Sequence, residues 1–308
     1  RGRVYQEETG EQLGAYANDL SERTTAEKTA KEVDDIVQEQ ASAVEETIRQ
    51  YKKQYPPVAA TRPHHKQVLQ LLRALAERFT PGQAPEVWFT RSLPGKTKGI
   101  AHPYGVIVLN ADLRAADLMM VAAHEFGHWF QNVVFNALPK NDPARTQIEN
   151  TWKNLVTDVF NDKMTVAEFA REFLPASAAE RFADDTSPAA VFVRKLAQQR
   201  EKDGKNVEYH ISFPEWFANQ FSKYVTSGQL FEGANEHTAS FMSKLLKQMR
   251  ELFDSIWEMA GNLMPDSWRK YKPAEAFTKW VDSLARDYVM NVPVSSLDNS
   301  HGITPAIL

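Results

Sequence analysis

Apolar residues recur along this chain with two different periods, and the change of period predicts its elements. Val68, Leu71, Leu72 and Leu75 fall three and four apart, so an amphipathic helix is expected over 68–79, stopped by Pro81-Gly82. Val87-Trp88-Phe89-Thr90 then reads as a short strand, and Pro94-Gly95 as a turn. Residues 99–110 return as one or two strands that end in the aliphatic run Val106-Ile107-Val108-Leu109. Pro103 has no N–H to give a sheet, which favours an edge or an irregular stretch there. Asn110 and Asp112 are cap candidates for the helix expected over 118–134, where Leu118, Val121, Ala122, Trp129, Val133 and Val134 make a broad apolar surface.

The C-terminal half reads as helical. Residues 136–150 are expected as a polar loop, 151–160, 166–173, 177–183 and 188–199 as helices, and 202–205 as a turn. Phe213-Pro214-Glu215 opens an aromatic helix to about Tyr224, and further amphipathic helices are expected over 237–260 and 273–290. At the other end, residues 22–55 read as a long polar helix. Val37, Ala41, Val44, Ile48, Tyr51 and Tyr55 form a coiled-coil-like stripe on it, either laid across the rest of the protein or offered to a helical partner through residues 33–55. Pro56-Pro57 ends it, and His64 and His65, following Pro63, read as a solvated turn or helix start. These elements predict an α+β fold, mainly helical with one small twisted sheet. The expected organisation is a helical arm over 1–58, a catalytic domain over 59–292, and a tail or linker over 293–308.

Composition narrows the function classes. The chain has 308 residues and a net charge of −4. Residues 1–54 hold 12 acidic and 8 basic side chains, which accounts for the whole imbalance. No basic surface for nucleic acid is implied. No apolar run is long enough to span a bilayer. The chain contains no cysteine, so any metal must be held by nitrogen and oxygen.

One motif carries the chemistry. His124-Glu125-Phe126-Gly127-His128 puts two histidines four apart, hence on one face of the expected helix, with Glu125 one step round. A polar trio in an apolar helix is costly unless something satisfies it, and a metal ion shared by His124 and His128 would do so. Glu125 is then the general base toward a water molecule. Zinc needs a third protein ligand, and Trp129-Phe130-Gln131-Asn132 does not continue into a third histidine. Glu215 is the leading candidate. It follows a proline at a helix start, is flanked by Trp216 and Phe217, and shares a face with Asn219, which could hydrogen-bond a ligand histidine. Glu180, with Asp184 in support, is the rival; Glu168, Glu172 and Glu208 follow.

With these residues in view, the region 99–224 resembles zincin metallopeptidases of the glutamate-ligand class, the gluzincins. The helix HEFGHWFQN is also similar to peptidase domains of bacteriophage polyproteins and of bacterial toxins, lethal-factor-like peptidases among them. The resemblance implies a zincin-like fold and a zinc-dependent endopeptidase of the HExxH type. His124, His128 and Glu215 would be its ligands, Glu125 its base and Asn219 the residue four after the ligand glutamate. Asparagine stands where thermolysin-like members have aspartate, and 86 residues separate His128 from Glu215, a longer gap than theirs, which keeps Glu180 in play. Family members often add a tyrosine or histidine donor for the developing oxyanion; Tyr209 or His210 would fill that role. They also pair extended peptide with an edge strand, here expected around Ala101-His102-Pro103-Tyr104-Gly105. The setting implied is virion-associated or host-cytoplasmic, or secretion by a bacterium. The alternative is a catalytically inactive zinc-site protein, structural in a virion or larger polyprotein.

Overall fold

The computed structural model describes residue 38 and residues 42–80, 83–103, 105–227 and 266–291. The chain divides into two units, residues 1–54 and residues 55–308. Within the first, residues 42–54 are helical, and Glu46 accepts hydrogen bonds from both Arg49 and Gln50 on the same helix face. The rest of the expected long helix, the helix expected over 237–260 and the tail over 293–308 lie outside the described residues.

The second unit is mainly helical and carries one small mixed sheet. Helix α1 (Pro63–Phe79) starts on a proline and buries Val68, Leu71, Leu72 and Leu75, the stripe its sequence offers. Three strands follow: β1 (Glu86–Thr90), β2 (Gly99–His102) and β3 (Val106–Asn110), in the order β1-β3-β2. The aliphatic run is the centre strand, parallel to β1 and antiparallel to β2, and its Val106 to Leu109 are fully buried. Strand β2 stops one residue before Pro103 and forms the sheet's edge.

The motif helix α2 (Ala115–Phe130) runs on into a π-helical turn, Gln131–Phe135. Then come α3 (Pro143–Phe160), α4 (Val166–Phe173), α5 (Ala176–Arg181) and α6 (Ala189–Lys202). A 3-10 turn (Tyr209–Ile211) leads into α7 (Phe213–Thr226), and α8 (Glu275–Asn291) follows a second 3-10 turn, Asp266–Lys270. Helix α2 packs most extensively on α7. Phe126 and Phe130 meet Phe221 at ring distances of 5.3 and 5.0 Å, and Phe217 meets Phe135 and Phe277 at 5.1 Å each.

Two expectations need correction. The polar loop after the motif helix is shorter than 136–150, because Asp142 caps α3 by accepting from the Ala144 and Arg145 N–H groups and Pro143 fits its first turn. His64 and His65 do stand at a helix start, in the first turn of α1, but His65 is not solvated. It lies 2% exposed within α1, stacks on Phe89 at 4.3 Å and hydrogen-bonds the Ala111 carbonyl through Nε2 at 3.0 Å.

Candidate metal centre

Helices α2 and α7 face each other closely enough to share one polar site. Gly127 makes this possible: a Cβ there would lie 2.9 Å from the Ala218 Cα and 3.0 Å from the Phe221 Cβ. The glycine between the two histidines is therefore the point of contact between helices. Glu215, in the first turn of α7, is thereby carried to the histidine face of α2.

His124, His128 and Glu215 form a cluster able to hold a metal ion. The Nε2 atoms of His124 and His128 are 3.2 Å apart. Glu215 Oε2 lies 3.4 Å from His124 Nε2, and Oε1 lies 3.3 Å from His128 Nε2. Donors bound at about 2.0–2.1 Å in a tetrahedron stand roughly 3.3–3.4 Å apart, so these separations suit three corners around one ion. Two imidazoles and a carboxylate form a donor set that zinc accepts, with a fourth position left over. Glu180, the rival, is elsewhere: its Oε2 accepts from Trp268 Nε1 at 3.0 Å. Glu168 closes the capping box of α4 with Thr165, and Glu172 pairs with Arg171. Glu208 precedes the 3-10 turn and is exposed.

Asn219 orients one of the three clustered residues. Its Nδ2 donates to the Phe173 carbonyl at 2.7 Å, so its Oδ1 must face His124 Nδ1, 2.9 Å away. In a neutral ring this puts the proton on Nδ1 and leaves the Nε2 lone pair aimed into the cluster. Burial works to lower the His124 pKa, but hydrogen bonds and negative charge from Glu215, the charge of Glu125 and the Asn219 bond outweigh it and hold it above the usual histidine value. For Glu215, burial works upward but the two histidines prevail, keeping it well below the usual carboxylate range. An ion at the centre would likewise favour the Glu215 carboxylate, while excluding a proton from the Nε2 of each imidazole and leaving the Nδ1 proton of His124 in place.

Glu125 is not part of the cluster and points to the sheet. It is 8% exposed, and its carboxylate accepts from the Ala101 N–H on β2. Gly99 leaves it room, since a Cβ there would come within 2.7 Å of the Glu125 Cγ and Oε1. Burial pushes the Glu125 pKa up, against the pull of His124 and His128. Of the two donor candidates, Tyr209 reaches the cluster, with its hydroxyl facing Glu215. Burial, then the charge and hydrogen bond of Glu215, raise its pKa, so the hydroxyl keeps its proton. His210 packs edge-on against Tyr209, ring centroids 5.2 Å apart, and lies outside the ligand set; burial lowers its pKa.

Sequence reasoning missed Gly99, Gly127 and Arg200. The glycine of HEFGH was visible, but its reason lies on α7, 91 positions further along at Ala218. Nothing in the local sequence marks Arg200, whose guanidinium lies over the Tyr209 ring at 4.0 Å. Comparison of the chain with protein-family models, with curated proteins and with solved structures found no match.

Proposed function

We propose that the protein is a zinc-dependent endopeptidase of the gluzincin type, with His124, His128 and Glu215 as ligands and Glu125 as base. The observation that carries this reading is the meeting of Glu215, from a second helix, with the two histidines of one HExxH turn at 3.3–3.4 Å. Zinc bound there would supply Lewis acidity, acidifying a water and polarising a carbonyl oxygen. Glu125 takes a proton as the water oxygen attacks the peptide carbonyl carbon, then returns it to the amine as the C–N bond breaks. Tyr209, held beside Glu215, would turn its hydroxyl proton from that carboxylate to the carbonyl oxygen as negative charge grows there. Asn219 keeps His124 in the tautomer that binds. The edge position of β2 beside Glu125 supports an extended peptide as substrate, because main-chain groups of an edge strand can pair with it. That element is Gly99–His102, not a segment running through Pro103.

One observation favours a second reading. Glu125 is buried and faces the Ala101 backbone of β2, as a carboxylate that braces helix against sheet would. On that reading the metal is structural, and the protein is a part of a virion or larger polyprotein. Glu125→Gln separates the two. Zinc-loaded protein is incubated with an unstructured protein, and fragments are identified by mass spectrometry. On the peptidase reading the wild type cleaves, and the variant loses on the order of 10²–10⁴ in rate while retaining one zinc. A fully zinc-loaded wild type that cleaves nothing supports the structural reading.

A further inference from the structure

The segment that delivers Tyr209 to the centre has little core of its own. Residues 201–208 are all exposed, and the 3-10 turn Tyr209–Ile211 contains no fully buried residue. Its far end is anchored: Trp152 Nε1 donates to the Ile211 carbonyl and Ser212 Oγ to the Tyr209 carbonyl, each at 2.9 Å. Those bonds fix the backbone, and His210 meets the ring edge-on with centroids 5.2 Å apart, which leaves the ring's faces to be held from elsewhere.

Arg200, in the last turn of α6, supplies the missing constraint. Its guanidinium carbon lies 4.0 Å from the Tyr209 ring centroid, well inside cation–π range. Its Nε donates to the Asn206 carbonyl at 2.8 Å, and its own carbonyl accepts from the Lys205 N–H at 2.8 Å. One residue thus ties down both the turn before Tyr209 and the face of its ring. The turn is committed to this course by Gly204, whose φ of +66° disfavours any side chain. At the opposite end of the same ring, the hydroxyl faces Glu215.

We propose that Arg200 is a positioning residue for the metal centre, holding the Tyr209 hydroxyl on Glu215 by stacking on the ring and pinning the 203–208 turn. It acts through Tyr209 and touches no ligand itself. Its catalytic consequence rests on the peptidase reading above; the clamp on the metal site does not. A planar guanidinium serves this best, because an ammonium keeps the cation's attraction to the ring but lacks the flat stacking surface and the fixed Nε donor.

Full-length protein loaded with cobalt(II) tests this, since the visible spectrum of the ion reports its ligand field. Tyr209→Phe is expected to alter the spectrum by freeing Glu215. Arg200→Leu should alter it in the same way, Arg200→Lys less, and the double variant no more than Tyr209→Phe alone. If peptide is cleaved, kcat should fall in both single variants by on the order of 10², with KM little changed. Unfolding curves for each variant check that the fold is retained; should Arg200→Leu not fold, Arg200→Lys and Arg200→Gln give the same comparison. A wild-type cobalt spectrum in folded Arg200→Leu overturns the proposal. So does a wild-type spectrum in Tyr209→Phe, or additive losses in the double variant. If no peptide is cleaved, the peptidase reading fails, while the spectra still decide the role of Arg200.

Discussion

His124 Nδ1 and Asn219 Oδ1 stand 2.9 Å apart, and the amide cannot be reversed without losing the bond from Asn219 Nδ2 to the Phe173 carbonyl. The last carbonyl of α4 thereby fixes the orientation of Asn219, and Asn219 fixes the tautomer of His124. Asn219→Leu is expected to weaken zinc binding roughly 10–100-fold, while Asn219→Asp keeps or strengthens it. Competition against a chelating dye at neutral pH measures both constants. An unchanged constant for the leucine variant would mean that His124 keeps its tautomer without help.

Gly127 sets the spacing of α2 and α7. Because a Cβ there meets the Ala218 backbone at 2.9 Å rather than the end of a flexible side chain, Gly127→Ala must push the helices apart. The expected cost is about 1–3 kcal/mol of stability, with weaker zinc binding because Glu215 moves away from the histidines. Urea unfolding and zinc titration of the variant check the two effects. Stability and affinity both at wild-type values would show that the helix pair can yield.

Gly99 has a different neighbour, and so a different expected outcome. The clash at 2.7 Å is with Glu125, and the next, at 2.9 Å, is with the Val121 Cγ1. The ligands are untouched. On the peptidase reading, Gly99→Ala should therefore leave bound zinc in place and lower turnover by displacing Glu125. Metal content and cleavage rate measured on one preparation separate the effects; zinc loss in step with activity would contradict the assignment.

Much of this architecture is legible in the sequence, and the parts that are not share a cause. The stripe Val68, Leu71, Leu72 and Leu75, the aliphatic centre strand and the Pro-Glu start of α7 are local patterns, and local patterns predict local elements. The histidine face of α2 follows from helical spacing alone. Whether Glu215 or Glu180 completes it does not, since both follow small or proline residues at helix ends and the choice is made by how α7 docks on α2. The burial of His65 is not legible locally, because nothing nearby in the chain announces Phe89 or the Ala111 carbonyl. Nor is the early start of α3, because the Asp142-Pro143 cap sits inside a polar stretch with weak apolar periodicity.

Lys223 is the one fully buried lysine among the described residues, and it gives the fold a pH signature. Its ammonium donates to the Arg171 and Glu172 carbonyls at the end of α4. Burial, opposed by the charge of Glu172 and aided by that of Arg171, pushes its pKa down from 10.5 to about 8. The unfolded chain then holds more protons than the folded one between these values, so this group's contribution to stability rises with pH across the window. It is fully present above 10.5 and is lost as pH falls through 8, a swing of roughly 3 kcal/mol. The stability difference between wild type and Lys223→Met, measured by urea unfolding at saturating zinc from pH 7.5 to 10, should climb in favour of the wild type. A flat difference would place the lysine's titration outside that window.

Glu215→Ala and Glu180→Ala should fail in opposite ways. Glu215 lies 3.4 and 3.3 Å from the two histidines and belongs to the only ligand-like cluster among the described residues. Removing it leaves two imidazoles, which do not hold zinc tightly, so affinity should collapse. Stability of the metal-free chain should change little or even rise, since the His124–His128 pair loses a partner but the site also loses a buried carboxylate. Glu180 is bound to Trp268, and its loss leaves a mostly buried indole N–H without an acceptor. That should cost on the order of 1–3 kcal/mol of stability and leave the zinc constant unchanged. Zinc dissociation constants and urea midpoints for both variants form a two-by-two comparison. A normal zinc constant for Glu215→Ala would remove the glutamate ligand, and with it the observation on which the peptidase reading stands.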